Sequence, residues 1–164
     1  MKKVQRDELL DYVTYEEKRA AVRAAAMAHK ERRRVHVGEH LTFLFENTDT
    51  VRYQIQEMMR VEHLVKDAEI AHELVTYNEL LGEQGELGCT LLVEIPDEKK
   101  RDELLRAWRE LPAHLYVRLD NGDKCYARFD KRQIGDDRLS AVQYLKFATG
   151  GRAPVAVGSD LSFL

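Results

Sequence analysis

The segment FENTDTVRYQIQEMMRVEH, residues 45–63, mixes amides, acids and bases on one predicted helix, a mixture that a surface helix does not need. Arginine side chains such as Arg52 and Arg60 can bind an anion. A carboxylate such as Glu57 can act as a general base. The pattern does not assign a catalytic residue, but it predicts a ligand or partner site that comprises Glu46, Asn47, Asp49, Arg52, Gln56, Glu57, Arg60, Glu62 and Glu94.

A helical wheel over residues 51–65 divides this helix into two faces. The apolar stripe is formed by Val51, Ile55, Met58 and Val65, and the opposite face carries Arg52, Gln56, Arg60 and His63. Glu62 projects into the apolar stripe, where an unpaired charge costs several kcal/mol. It is therefore a functional buried acid with a raised pKa, a structural acid paired with an arginine, or part of a helix end that turns to solvent.

The polar face has two interpretations. Glu57 and Arg60 are three residues apart and can pair on a solvated surface. Alternatively, Glu46 and Glu94, which each close a predicted strand, converge with Arg52 and Gln56 near the helix start if their strands are neighbours. A helix N-terminus favours anions.

Other motifs give weak signals for a metal or a cofactor, and we predict neither. Glu69 and His72 form a single E-x-x-H pair, whereas di-iron bundles need two pairs and two further glutamates. Short-range spacing of His36, Glu39 and His40 is common. The two cysteines, Cys89 and Cys125, have no flanking signature of a nucleophile, and we expect reduced thiols in buried strands. A disulfide between them stays open, because the sequence does not give their distance.

The predicted elements alternate between helices and strands. A capping box at Thr14–Glu17 opens a helix over about 15–33, and helices follow at 49–65, 67–81 and from Asp97 to Pro112. Strands are predicted at 41–45, 89–95, 141–147 and 154–158, and an Asn-Gly type I′ hairpin at 114–129. We therefore predict an α+β fold in a single domain, residues 1–164, with a mainly antiparallel or mixed sheet and several helices packed on it.

Composition narrows the functional classes. The net charge of −3 and the pI of about 6.1 give no bias toward nucleic acid. The cations of residues 30–34 lack aromatic interleaving, so nucleic-acid binding is not favoured. The N-terminal sequence has no apolar signal region, and no run approaches the ~20 apolar residues of a spanning helix. These features predict a cytoplasmic protein without a membrane partner, and they leave the oligomeric state open.

The central segment resembles the signature of a bacterial family, domain of unknown function 3501. The similarity covers Phe-Glu-Asn at 45–47, the run from Asp49 to Met58, and Arg60 with Glu62. Weaker similarity continues through HKERRRV, TLLVEIPD, SAVQYLKF and APVAVGSD. Two features depart from the family pattern: the loop GEQGELG lacks a proline, and the tail reads SDLSFL where an Asp-His-Pro-like sequence is expected.

The resemblance implies a role near peroxide or redox metabolism, because genes of this family often lie beside rubrerythrin-like and iron–sulfur oxidoreductase genes. It leads to the first hypothesis, a non-catalytic accessory protein that presents the polar face of helix 49–65 to a rubrerythrin-like or iron–sulfur partner. The second hypothesis is an anion-binding protein or enzyme with a Glu/Arg/Gln pocket around the same helix. A pocket enclosing Arg52, Gln56 and Arg60 favours the second, and a flat surface favours the first.

Overall fold

The computed structural model describes residues 1–162, in which four α-helices and seven β-strands confirm the predicted α+β class. Backbone contacts divide the chain into two units. The helical unit consists of Met1–Arg33 and Glu46–Leu81, and the sheet unit consists of Arg34–Phe45 and the chain from Gly82 onward. The single domain over residues 1–164 stays a prediction.

The helical unit contains α1 (Tyr12–Glu31), α2 (Thr48–Glu62) and α3 (Asp67–Asn78), preceded by a 3₁₀ turn at Arg6–Glu8. Its apolar core is small: α2 supplies three residues and α3 one, and the N-terminal segment and the segment after α3 supply the rest. The buried members are Val4, Leu9, Val51, Ile55, Met59, Ile70 and Leu81.

The predicted capping box at the start of α1 is wrong. Asp11 caps this helix: its carboxylate accepts hydrogen bonds from the Thr14 N–H (2.9 Å) and the Thr14 hydroxyl (2.7 Å). An acidic N-cap lies upstream of Thr14, so the helix begins at Tyr12, before the predicted start.

Helices α2 and α3 end three residues before their predicted ends, at Glu62 and Asn78. His63 takes a left-handed conformation (φ 52°), which terminates α2. Val65 therefore lies outside the helix on which the apolar stripe was drawn.

The sheet unit is antiparallel throughout its described part. A four-stranded sheet has the order β1-β2-β3-β6, and a three-stranded sheet has the order β5-β4-β7. The strands are β1 (Arg34–Val37), β2 (Leu41–Phe45), β3 (Glu86–Val93), β4 (Leu115–Leu119), β5 (Lys124–Tyr126), β6 (Val142–Ala148) and β7 (Pro154–Ser159). Strand β1 is not among the predicted strands, because three of its four residues are exposed and it carries no apolar face.

Apolar side chains from both sheets and from α4 (Glu98–Ala107) form the core of the sheet unit. Asp97 caps α4 as predicted, its carboxylate accepting from the Lys100 N–H at 2.7 Å. The helix buries Leu105 in that core, so the predicted packing of a helix on a sheet is present here.

The hairpin of β4 and β5 forms as predicted, with a different turn. The Leu119 N–H donates to the Asp123 carbonyl, and the Gly122 N–H to the Leu119 carbonyl, both at 2.9 Å. Gly122 has φ 91°, whereas His63 is the one non-glycine residue with positive φ in residues 1–162. A type I′ turn needs positive φ at both central residues. This loop is instead a three-residue connection with a glycine bulge.

No helix within residues 1–162 has the length and apolar character needed to cross a membrane.

Candidate functional site

The start of α2 is fixed by side chains that the sequence analysis placed in the candidate site. Asn47 caps the helix, as predicted for one of residues 47–50: its Oδ1 accepts from the Thr50 N–H at 3.0 Å. The Thr50 hydroxyl oxygen in turn accepts from the Asn47 N–H at 2.9 Å. Buried Glu46 accepts a hydrogen bond from the Thr50 hydroxyl. Glu46 and Asn47 therefore have structural roles in starting the helix.

The polar face of α2 packs against α1. Glu57 accepts from Arg19 Nε, 3.2 Å from each carboxylate oxygen, and from the Tyr53 hydroxyl at 2.7 Å. Arg23 donates to the oxygen of Tyr53 at 3.0 Å. Arg19 and Glu57 are charged and half-buried, whereas Tyr53 is buried and Arg23 is exposed. These contacts hold the two helices together.

The predicted surface pair of Glu57 and Arg60 is wrong, because each side chain has its partner on α1. Arg60 forms its ion pair with Glu16. Burial raises the pKa of Glu57, but hydrogen bonds from Tyr53 and Arg19 outweigh burial and hold that pKa below its ordinary value. Glu57 is therefore a carboxylate at neutral pH.

Gln56 is buried, although the helical wheel placed it on the solvated face. Its Oε1 accepts from the Leu10 N–H at 2.7 Å, and its Nε2 donates to the Leu10 carbonyl at 3.0 Å. A main-chain partner satisfies both ends of the amide, so its burial is compensated. Gln56 thereby ties the N-terminal segment to α2.

Arg52 binds two carboxylates. Its Nη1 lies 2.7 Å from Asp49 Oδ1, and its Nη2 lies 2.9 Å from Glu8 Oε1. Burial lowers the pKa of Arg52, but the two carboxylates outweigh burial and raise it. The guanidinium charge is already compensated, which disfavours the predicted anion-binding role.

A cleft of about 390 Å³ opens in the helical unit, and we call it the α1–α2 cleft. Small apolar side chains of α1 make one wall, and polar side chains of α2 and the N-terminal segment make the other. Its lining residues are Glu8, Leu10, Tyr15, Val22, Ala25, Ala26, His29, Asp49, Thr50, Arg52, Tyr53 and Gln56. An apolar wall with a few convergent polar groups is typical of small-molecule sites.

Tyr15 gives the cleft an unusual group. Its side chain is fully buried, and its hydroxyl has no hydrogen-bond partner within residues 1–162. Burial, followed by the charge of Glu57, raises the pKa of Tyr15 to about 12. The phenol therefore stays protonated at neutral pH.

Asp49, Arg52 and Gln56 line the cleft, and the other six predicted site residues do not. Glu62 is exposed at the helix end, so the two buried-acid interpretations are wrong and the solvent-facing alternative is correct. The predicted convergence of Glu46 and Glu94 also fails. Strands β2 and β3 are neighbours but antiparallel, so residue 94 follows the end of β3 that pairs with Leu41, at the opposite end of the ladder from Phe45.

Glu8, Tyr15 and His29 line the cleft but are not among the predicted site residues. Glu8 reaches Arg52 across 44 residues of sequence, and His29 reaches Asn47 across 18. No local pattern reports contacts between segments so far apart.

The weaker chemical motifs remain dispersed. Within the described chain, no three His, Cys, Asp or Glu side chains come together in a way that could hold a metal ion. Glu69 and His72 are exposed on α3, as expected for a solvated face. Cys89 and Cys125 form no disulfide; the first is buried and the second half-buried, and burial raises the pKa of the Cys125 thiol.

The C-terminal departure from the family pattern falls partly beyond the described residues. Asp160 forms an ion pair with Lys124 at 2.7 Å and accepts from the Tyr126 hydroxyl at 2.7 Å. The last two residues of SDLSFL lie outside the described residues.

Comparison with known proteins gives a family. A family model described as "Protein of unknown function (DUF3501)" matches residues 3–161, and the chain belongs to this family. The structure is similar to the crystal structure of a novel protein of unknown function from Burkholderia pseudomallei K96243. That likeness has a TM-score of 0.89 and 31% identity over 99% of this chain and 89% of the other. No curated protein matches the chain.

Proposed function

We propose that the helical unit binds a small organic molecule in the α1–α2 cleft. The observation that carries this proposal is a cleft of about 390 Å³ with an apolar wall and several polar groups. This volume lies within the usual range of ligand pockets, roughly 300–1,000 Å³. The proposal keeps the pocket of the second hypothesis and drops the anion, because Arg52 is already paired with Glu8 and Asp49.

Three molecules that share one apolar ring and differ in the polar end test the proposal: cyclohexanone, cyclohexylamine and cyclohexanecarboxylate. We expect at least one of them to shift the backbone amide NMR signals of residues 22–29 and 49–56 in the full chain. If none of the three shifts these signals, the proposal of a ligand cleft is overturned.

A matched pair of variants locates the binding. Ala26 lines the cleft, and Ala24 is exposed on the same helix outside it. Ala26→Leu should fill the cleft and weaken binding of the probe, while Ala24→Leu should leave it unchanged. Equal effects of the two substitutions would place the probe elsewhere.

A second candidate function is docking of the redox partner that the family resemblance implies, a rubrerythrin-like or iron–sulfur protein. The supporting observation is a depression lined in part by Tyr12, Val13, Arg60 and Val61. Val13 and Val61 are 57% and 64% exposed there. Most polar side chains of α2 are engaged within the helical unit, so docking would use these valines and not the polar face first proposed.

Pull-down of a purified rubrerythrin-like protein tests this candidate. Val61→Ser should reduce retention, whereas Val75→Ser, at a valine on α3 that is 65% exposed, is the control. If Val61→Ser leaves the retention unchanged, docking of the partner at this depression is excluded.

A further inference from the structure

The end of α1 and the start of α2 are joined by a side-chain hydrogen bond in the cleft wall. Asn47 Nδ2 lies 2.6 Å from His29 Nε2. An amide nitrogen can only donate, whereas each imidazole nitrogen can donate or accept. The orientation of the amide therefore decides where the imidazole carries its proton.

The N-cap of α2 fixes that orientation. Asn47 Oδ1 accepts from the Thr50 N–H at 3.0 Å, so the amide cannot rotate without turning its NH₂ group toward another donor. With Oδ1 committed to Thr50, Nδ2 must donate to His29 Nε2. The imidazole is then neutral, and its proton lies on Nδ1.

We propose that His29, held in its neutral Nδ1–H form by Asn47, is the hydrogen-bond donor that selects the ligand of the α1–α2 cleft. The inference rests on the proposed function. His29 lines the cleft, and within residues 1–162 no protein group accepts a hydrogen bond from its Nδ1. The ligand class that fits is a neutral molecule with an apolar body and one acceptor, such as a carbonyl or ether oxygen.

The charges that face the cleft favour a neutral ligand. Glu8 comes from the N-terminal segment, and Asp49 and Arg52 come from α2, so two carboxylates accompany one guanidinium. Lys30 and Arg33 follow His29 along the chain. An anionic ligand would meet two carboxylates, and a cationic ligand would compete with Arg52 for partners that are already bound.

The tautomer is measured without any ligand, by ¹⁵N NMR of histidine-labelled full-length protein. We expect His29 to show a protonated Nδ1 and an unprotonated Nε2. Asn47→Asp keeps an efficient N-cap but replaces the donor by an acceptor, so it should move the neutral imidazole to the Nε2–H form. Should this variant fail to fold, Asn47→Ser also caps the helix and removes the donor, and it should abolish the preference for Nδ1–H. A wild-type Nε2 that carries the proton would overturn the proposal.

Binding is then compared for two probes that share one ring, cyclohexanone and methylcyclohexane, by NMR titration with each probe at neutral pH. Asn47→Asp should lower the affinity for cyclohexanone by about fivefold to tenfold, which is the usual contribution of one hydrogen bond. It should leave the affinity for methylcyclohexane unchanged. If cyclohexanone binds in the cleft with equal affinity to both proteins, the role of His29 is refuted while the ligand cleft stands. If no ring compound binds, the proposed function is overturned and the ligand-selecting role of His29 with it. The tautomer result then describes only the hydrogen bond between the two helices.

Discussion

The two units of this chain are stabilised by different kinds of interaction. The sheet unit has a broad apolar core, in which strands from both sheets and helix α4 bury Phe43, Leu91, Leu115 and Phe147 completely. The helical unit has a smaller apolar core, and two ion pairs and a hydrogen bond also join α1 to α2. A buried apolar face can be predicted from the spacing of apolar residues in the sequence. A polar contact cannot be predicted in this way, because it depends on which side chain the fold brings opposite.

The largest effect should come from truncating the sheet core. Phe147→Ala removes a fully buried ring from β6 and should cost about 3–5 kcal/mol in the free energy of unfolding. Tyr144→Ala, at a residue of the same strand that is 46% exposed, is the control and should cost much less. Urea unfolding measures both. Equal costs would mean that the core of the sheet unit does not depend on this face of β6.

Glu57→Gln tests the polar contact of the helical unit. It weakens the acceptor of Arg19 and Tyr53 in a half-buried place and should cost about 1–2 kcal/mol. The pKa of Glu57 is lowered in the folded protein, so its stabilisation is present above the ordinary pKa of the carboxyl group. The difference between wild type and Glu57→Gln should therefore be full at neutral pH and vanish as the pH falls through that lowered pKa. A difference that grows in acid would contradict this account.

The same contrast explains what the sequence could predict. Strand β2, the hairpin and the cap of α4 followed from alternation, Asn-Gly and Asp97, since these signals act over a few residues. The sequence also located α2 and three residues of the cleft. The burial of Gln56 was not predicted, because a helical wheel places an amide on the exposed face. The wheel contains no information on the Leu10 backbone, which forms both hydrogen bonds with this amide. The sequence-based prediction failed for the convergence of Glu46 and Glu94 because strand direction is a property of the whole sheet.

Tyr15→Phe should have a smaller effect, of the opposite sign. The Tyr15 hydroxyl is buried without a partner in the described chain, and such a group costs free energy in the folded state. Removing it should raise the free energy of unfolding by about 1 kcal/mol in urea unfolding. Tyr53→Phe is the matched control: that hydroxyl bonds both Glu57 and Arg23, so its loss should destabilise. A destabilised Tyr15→Phe protein would show that a bound water or another group satisfies the phenol.

Glu62→Gln should have the smallest effect and completes the comparison on a single helix. Glu57 and Glu62 are both glutamates of α2, and the substitution makes the same chemical change at each. The helix ends at His63, which has a left-handed conformation, and Glu62 is exposed there. The apolar stripe of the helical wheel is therefore not buried at this position. We expect a change within about 0.5 kcal/mol in the free energy of unfolding, measured under the conditions used for Glu57→Gln. A cost equal to that of Glu57→Gln would mean that a partner covers the helix end, and position on the helix would then not distinguish the two acids.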